Sequence, residues 1–471
     1  MNKRLQMVKY ILPDYLAAIS SWTLFFIFRK IYIEPLKFGY KIPVEFNDKF
    51  ILGLLIVPLF WLFIYYVTGY YKNIYRKSWI EDIVFTFLQT LIGVIIIFFT
   101  LILDDYVSSY KSYYQLISVL FSLHFILTLT FRLIITSVTK YHIQNRIIGF
   151  NTIIIGCRKQ ASGTYKELAA KKKSTGNVII GFVTVEDNEE SPPSGNIPRL
   201  GSIRTLERIL EKYKVEEVII ALKPDEYEMI DQIMIKLAFS KVFIKLNPEV
   251  YNRLHEKVKM EHLYGSSYIQ VSPYLMPPWQ ENIKQLIDTI SSLIALMVLS
   301  PLMLFIAAGI KFTSKGPILY SHERIGRYGK PFKFYKFRSM MNDAEISGPE
   351  LSSKNDKRLT PFGRYLRKYR LDEIPNFINV LKGDLSLVGP RPEREYFTKQ
   401  IVKKAPHYIY LHKVKPGITS WGQVRYGYAE NIQQMLKRLD YDILYIWNMS
   451  LLVDFKILFY TFLTVIKGRG I

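Results

Sequence analysis

Two adjacent carboxylates, Asp372 and Glu373, follow directly on a run of cations, Arg364, Arg367, Lys368 and Arg370. Pro375 comes next and fits the first turn of a helix, where its missing N–H costs nothing. Ile374, Phe377, Ile378 and Leu381 repeat at the spacing of a helical apolar stripe, and Lys382-Gly383 closes it. Both acids are therefore expected at a helix N-terminus among fixed positive charges, which suits an anionic nucleophile working on a phosphate. Capping is the competing explanation, because Asp and Glu favour helix N-termini whatever the function. Side chains adjacent on a helix point apart, so both acids face one atom only if the helix starts between them.

Three other stretches bear on that choice. Tyr320 to Met341 alternates cations with glycines and aromatics, as a short hairpin lining an anion site would, and carries Lys336 and Arg338. Gly389-Pro-Arg-Pro392 is a stiff turn that holds Arg391 at a fixed angle, and Lys415 to Gln423 is a Pro/Gly turn carrying Trp421. With the acid pair, these motifs resemble the catalytic domain of the bacterial polyprenyl-phosphate hexose-1-phosphate transferases, the monotopic phosphoglycosyl transferases. The resemblance covers about 190 residues, from Asn282 to the end, with four motifs in the family's order. The chain departs from the family at Asn376, where Gln is usual, at Leu385 for Met and at Ser420 for Gly. Trp447 stands where an acid or amide is expected. These departures bear on substrate choice rather than on the reaction.

The resemblance implies a two-step exchange. Asp372 attacks the β-phosphorus of a UDP-hexose and expels UMP, and polyprenyl (undecaprenyl) phosphate then attacks the aspartyl-phosphosugar. A carboxylate is an established nucleophile toward phosphorus, and covalent capture splits one hard step into two. Nearby Arg is expected to lower the Asp372 pKa and keep it ionised. The larger contribution is charge stabilisation by Arg367, Lys336, Arg338 and Mg²⁺. Asp372 and Glu373 would hold the metal, with general-base help to the acceptor as a second role for Glu373. Arg364 joins the substrate-binding set, and Arg391 would grip nucleotide phosphate or uracil. The product is the first sugar-lipid of a capsule, exopolysaccharide or O-antigen route. Two other readings stay open: a membrane-tethered Rossmann enzyme modifying nucleotide sugars, and a non-catalytic polysaccharide-assembly partner.

The 471 residues are 49% apolar, carry a formal charge of +23 and exceed one ordinary domain. The basic residues flank apolar runs, so a lipid bilayer rather than nucleic acid is the expected partner; juxtamembrane cations gain about 1 kcal/mol each there. One cysteine, Cys157, excludes an intrachain disulfide and reads as a structural thiol. His322, His407 and His412 read as polar surface residues, since no metal-ligand spacing joins them. The first apolar run, Tyr10 to Ile33, lacks a small-residue cleavage site and reads as a span.

Four runs near 10–31, 50–71, 81–103 and 115–138 have membrane-crossing length, with Asp14 in the first expected to snorkel or pair. Lys72, Arg76 and Lys77 after the second run, against Asp104 and Asp105 after the third, place the N-terminus and everything beyond Lys140 in the cytoplasm. The first loop, with Arg29, Lys30, Lys37, Lys41 and Lys49, opposes that orientation. The protein is thus expected in the bacterial inner membrane with its catalytic part facing the cytoplasm.

The expected architecture is a membrane protein of mixed class. It has a four-helix transmembrane region (1–143), a Rossmann-like α/β domain (144–270), a re-entrant helix (280–311) and a small α/β catalytic domain (312–471). The middle domain shows β-branched runs at Asn151–Ile155, Val178–Val185, Glu217–Leu222 and Val242–Leu246, spaced by helices that Ser202 and Pro224 are placed to open. Glu186–Pro198 reads as an exposed acidic loop. The turn Gly156-Cys-Arg-Lys-Gln-Ala-Ser-Gly163 lacks the dinucleotide glycines, so regulation or oligomerisation, including a homodimer, is the expected role. Ile290 to Ile310 is apolar but broken by Ser300-Pro301. Residues 311–371 hold 15 Lys/Arg against 5 Asp/Glu, a poor cargo for the outer side. A helix turning back at Ser300-Pro301 answers both facts, against the alternative of an ordinary fifth span. Lys284 and Lys311 to Lys315 flank it as headgroup anchors, and Tyr441–Lys467 reads as interfacial helices.

Overall fold

The computed structural model describes residues 3–40, 43–102, 110–171, 173–185, 197–223, 226–246, 260–262, 269–271, 274–341, 348, 350–351, 356–427 and 429–466. Asp104, Asp105, Lys41, Pro224 and most of the acidic loop lie outside them, as does the Lys37 side chain. The chain divides into two compact units, Met1–Phe150 with Ala170–Val178, and Asn151–Ala169 with Ile179–Ile471.

Four long helices dominate the first unit. Helix 1 spans Lys3–Phe28 and continues through a π turn to Phe38; helices 2, 3 and 4 span Asp48–Val67, Trp79–Ile97 and Tyr110–Gln144. Asn47 caps helix 2 by accepting from the Phe50 N–H at 3.0 Å, and Ser78 with Glu81 forms a capping box on helix 3. Helix 2 shows the logic of the bundle. Val57, Trp61, Ile64 and Tyr65 are buried, while Leu52, Leu55, Leu59 and Phe63 are exposed on the other side. Apolar residues on both faces suit a helix between protein and lipid. All four are long and apolar enough to cross a membrane, and so is Pro278–Thr313, which makes five such helices among the described residues.

Polar residues in this bundle pair inward. Arg132 of helix 4 donates to both Asp14 oxygens of helix 1, at 2.9 and 3.0 Å, and to Thr86 and Gln89 of helix 3, each at 2.9 Å. Tyr71 also donates to Asp14, and Asp82 accepts from Tyr70 and Thr136. Asp14 therefore pairs rather than snorkels.

The second unit opens on a sheet of order β3-β2-β1-β4-β5-β7-β6. Its strands are β1 Phe150–Gly156, β2 Asn177–Thr184, β3 Arg199–Ser202, β4 Glu217–Ala221, β5 Phe243–Leu246, β6 Met260–His262 and β7 Ile269–Val271. The pairs β2–β3, β1–β4 and β4–β5 are parallel, and β7 is antiparallel to both β5 and β6. Helices Arg158–Ala170, Leu206–Lys212 and Tyr227–Lys236 separate the parallel strands. A continuous apolar run such as Ile153–Ile155 is what a strand covered on both faces requires. Gly156 is needed where β1 meets β4, because a Cβ there would lie within 2.3 Å of the Ala221 carbonyl oxygen. Ser202 precedes a 3₁₀ turn, yet its side chain makes no cap.

The remaining chain builds around the helix Pro278–Thr313, which is continuous across Pro301. Its first part is tied down by polar contacts. Gln280 accepts from the Leu451 N–H, Lys284 donates to Val388 O and Asp454, and Asp288 accepts from the Leu387 N–H. Lys284, expected as a headgroup anchor, instead forms an internal ion pair with Asp454 at 2.6 Å. The later part packs Leu299, Leu302, Met303, Ile306 and Ile310 against Phe337, Leu366 and Ile374. A hairpin of β8 Leu319–Ile325 and β9 Pro331–Phe337 follows, then helices Pro361–Lys368 and Asn376–Lys382 and a parallel pair, β10 Ser386–Val388 with β11 Gly417–Thr419. Helix Ile432–Trp447 buries Met435, Leu439, Ile443 and Ile446 in this core, so the expectation of an interfacial helix fails at Tyr441–Trp447. Helix Leu451–Ile466 leaves Leu452, Phe455, Phe459 and Phe462 exposed along one side.

Candidate active site

Arg370 adopts a left-handed backbone, φ 55°, and turns the chain from helix Pro361–Lys368 into a 3₁₀ turn, Leu371–Glu373. The acids thus occupy a tight turn ahead of the helix, and Pro375 is its N-cap rather than its first residue. The winding runs on, since the Phe377 N–H donates to Ile374 O and the Ile378 N–H to Pro375 O. Asp372 and Glu373 are both buried, at 4% and 7% exposure.

The two acids have unequal surroundings. Glu373 lies 2.8 Å from Lys336 Nζ, 3.1 Å from Arg391 Nη2 and 3.5 Å from Arg370 Nη1. Asp372 has Lys336 at 3.9 Å. Burial would raise the Glu373 pKa, but Lys336, Arg391 and Arg370 outweigh it and hold the group well below the usual carboxylate range. For Asp372 burial prevails: it pushes the pKa up, Lys336 opposes and the Glu373 charge adds to the rise. The expectation of a lowered Asp372 pKa is therefore corrected: burial raises it by more than Lys336, Arg367 and Arg370 pull it down. Lys336 is itself lowered, by burial, against the pull of Glu373 and Asp372. Environments that drive two adjacent acids apart assign them different roles.

The other expected residues divide. Arg391 joins the dyad by pairing with Glu373, not by projecting from its turn. Arg367 donates to Ser339 Oγ at 3.0 Å while its charge still reaches Asp372. Arg338 is buried and donates to Ser314 and to the Lys315 carbonyl, so it fastens β9 to the end of the long helix. Arg364 is exposed. Ser300 donates to its own helix at Met297 O, 2.8 Å away, and Pro301 is exposed. Mg²⁺ needs few protein oxygens, because it keeps waters and takes phosphate oxygens from substrate. The dyad supplies such oxygens, with Asp372 the more open because Glu373 already carries Lys336 and Arg391. No group of three or more His, Cys, Asp or Glu is placed to hold a metal among the described residues.

Two histidines were misread as surface groups. His412 is buried against Tyr408, 5.4 Å away, and Phe239, 6.2 Å away, and burial lowers it to about 4. His322 is half-buried in the hairpin and accepts from Arg324 Nε at 2.8 Å. Alternation was the available signal for His322, because Tyr320, opposite Lys336, puts residues 320, 322 and 324 on the Lys336 face.

Fold and site together define a membrane-associated protein whose buried carboxylate pair is braced by lysine and arginine. Residues 279–468 match the bacterial sugar transferase family, and residues 65–248 match a CoA-binding domain family. The chain is 37% identical over 198 residues to exopolysaccharide production protein PSS of Rhizobium leguminosarum bv. phaseoli, covering 98% of that protein and 40% of this one. It is 37% identical over 240 residues to the UDP-N-acetylgalactosamine-undecaprenyl-phosphate N-acetylgalactosaminephosphotransferase of Aeromonas hydrophila, covering 51% of this chain and 56% of that one. Against the UDP-glucose:undecaprenyl-phosphate glucose-1-phosphate transferase of Escherichia coli K12 it is 33% identical over 297 residues, 61% of this chain and 62% of that one. The chain thus spans less than two thirds of the length of those last two relatives. It belongs to the bacterial sugar transferase family.

Proposed function

We propose that this chain transfers a hexose-1-phosphate from a UDP-hexose to undecaprenyl phosphate, with Asp372 as nucleophile. The observation that carries the proposal is the unequal dyad, one acid raised and lightly paired beside one saturated with cations. A raised pKa makes Asp372 a stronger nucleophile once ionised. Its oxygen bonds to the β-phosphorus while the bond from that phosphorus to the bridging oxygen breaks, and UMP leaves with the electron pair. A lipid phosphate oxygen then attacks the same phosphorus and returns the Asp372 carboxylate. Lys336, placed between the acids, stabilises charge on the transferring phosphoryl, and Glu373 fixes Lys336 and Arg391 in place. Mg²⁺, held by Asp372 with the substrate phosphates, would supply further charge neutralisation.

The same reading takes four helices as spans and Pro278–Thr313 as re-entrant, with the catalytic part on the cytoplasmic side of the bacterial membrane. Straight, those 36 residues would run about 54 Å. Lys284 to Asp288 contact residues 387, 388 and 454, and Leu299 to Ile310 contact residues 337 to 374 of the same domain. A perpendicular crossing would pull that domain into hydrocarbon, which argues for entry and exit by one face. Ile290, Ile294, Met297, Val298, Leu304 and Phe305 stay exposed for lipid. In a variant lacking Cys157, cysteines at Asn282 and Ser314 should both label from the cytoplasm only; outside labelling at position 314 would sink the re-entrant reading.

Membranes holding the full chain should release UMP from one of a panel of UDP-hexoses when undecaprenyl phosphate is added. Without lipid, the protein should gain the mass of a hexose-phosphate on Asp372. Failure to release UMP from every donor would remove the proposed activity. The step would begin assembly of a capsule, exopolysaccharide or O-antigen.

A further inference from the structure

We infer that His322 contacts the nucleotide half of the donor, giving its Nδ1–H to an oxygen of the departing phosphate. The inference rests on the transfer reaction proposed above. In the hairpin His322 lies opposite Phe334, so Tyr320, His322 and Arg324 share a face with Phe334 and Lys336. Phe334 is buried at the centre of that face. From its ring centroid the His322 ring is 5.7 Å away, the Arg324 guanidinium 4.7 Å and the Lys336 ammonium 5.3 Å. Lys336 carries this face to the dyad, Tyr320 beside it accepts from Arg394 at 3.1 Å, and Arg324 stands at the far end. The strip therefore leads from the nucleophile along a row of cations, as a nucleoside diphosphate would lie.

Within that row His322 is neutral, and its tautomer is set. Arg324 Nε donates to Nε2, which leaves the ring proton on Nδ1. Burial holds the imidazole far below its usual pKa, and Arg324, Arg394, Lys336 and Arg391 add to the effect. Nδ1 is enclosed and has no hydrogen-bond partner among the described residues. A buried donor left unmet is costly, and a phosphate oxygen on this face would satisfy it. Tyr320, 5.4 Å from the imidazole and 38% exposed, is the side chain such a ligand would displace. When the bridging bond breaks, charge grows on the departing phosphate, so a fixed N–H there gains strength in the transition state.

The test uses the full chain, varying UDP-hexose at saturating undecaprenyl phosphate and then the lipid at saturating UDP-hexose. His322→Phe keeps the ring packing and loses the donor; it should lower kcat/KM for UDP-hexose about 10–100-fold and leave KM for the lipid unchanged. His322→Gln restores an N–H and should stay within about threefold of the parent. A packing role predicts the reverse order, so a parent-like Phe variant, or a Gln variant as poor as Phe, overturns the proposal. Equilibrium binding of UMP separates this reading from the reaction. If the parent transfers no hexose-phosphate yet binds UMP, weaker binding by the Phe variant alone keeps the subsite while the reaction falls. Equal UMP binding by all three proteins, or none by the parent, overturns the subsite.

Discussion

The helical bundle and the transferase-matched region each bury an acid beside arginine, and they treat it in opposite ways. In the bundle Arg132 meets Asp14 through two bonds and spends its remaining donors on Thr86 and Gln89. In the site Lys336 is shared between two acids, near at 2.8 Å and far at 3.9 Å. A saturated buried pair specifies how helices pack; a group left short of partners is held ready for a ligand. Satisfaction goes with packing here, and imbalance with the proposed chemistry.

The largest effect should come from the unbalanced acid. Asp372→Asn should cut turnover by about 10⁴ or more and abolish the hexose-phosphate adduct that intact-protein mass is expected to detect in the parent. Retention of the adduct would break the comparison at once. Lys336→Met should cost about 10²–10³ in kcat, as loss of one charge-stabilising donor does, with a smaller stability loss than a lone buried pair because Arg391 and Arg370 still pair Glu373. Arg132→Leu inverts that pattern. It strands Asp14 in the bundle and should cost about 3–5 kcal/mol of stability, with kcat of the surviving protein intact. The double variant with Asp14→Leu should regain much of the loss.

Titration sharpens the contrast further. On the proposed mechanism Asp372 attacks as its anion and its pKa is raised, so adduct formation should fail on the acid side above the ordinary aspartate value of about 3.9. Lys336 must be protonated and its pKa is lowered, so the alkaline limb should fall below the ordinary lysine value of about 10.4. Lys336→Met removes the cation that lowers Asp372, so the acid limb should move upward in a rate–pH profile. The smallest effect belongs to exposed Arg364: its change to Ala should alter kcat/KM by no more than about twofold.

Period and punctuation made much of this legible. The four apolar runs, the β-branched strands and the alternating hairpin all appear where their spacing put them. The site was legible as a set of residue types and not as a set of contacts. Lys336, Arg338 and Arg367 look alike as cations near an acid pair, but Arg338 goes to Ser314, 24 residues earlier, and Arg367 to Ser339. Those choices depend on how the hairpin docks on the long helix, which periodicity does not encode. The direction of the Asp372 shift failed for the same reason, because burial is a tertiary quantity. The 3₁₀ turn needed the left-handed backbone of Arg370, a residue type that gives no local warning.

The Arg132–Asp14 pair also has a history within each molecule. The two residues lie 118 positions apart, at opposite ends of the bundle's sequence. On the proposed reading of helices 1 to 4 as spans, Asp14 would enter the membrane with helix 1 while Arg132 has yet to be made, and would gain its partner only when helix 4 arrives. Assembly would then close the bundle's first and last helices on each other. A shortened chain should tolerate the loss of all four helices together far better than the loss of helix 1 alone.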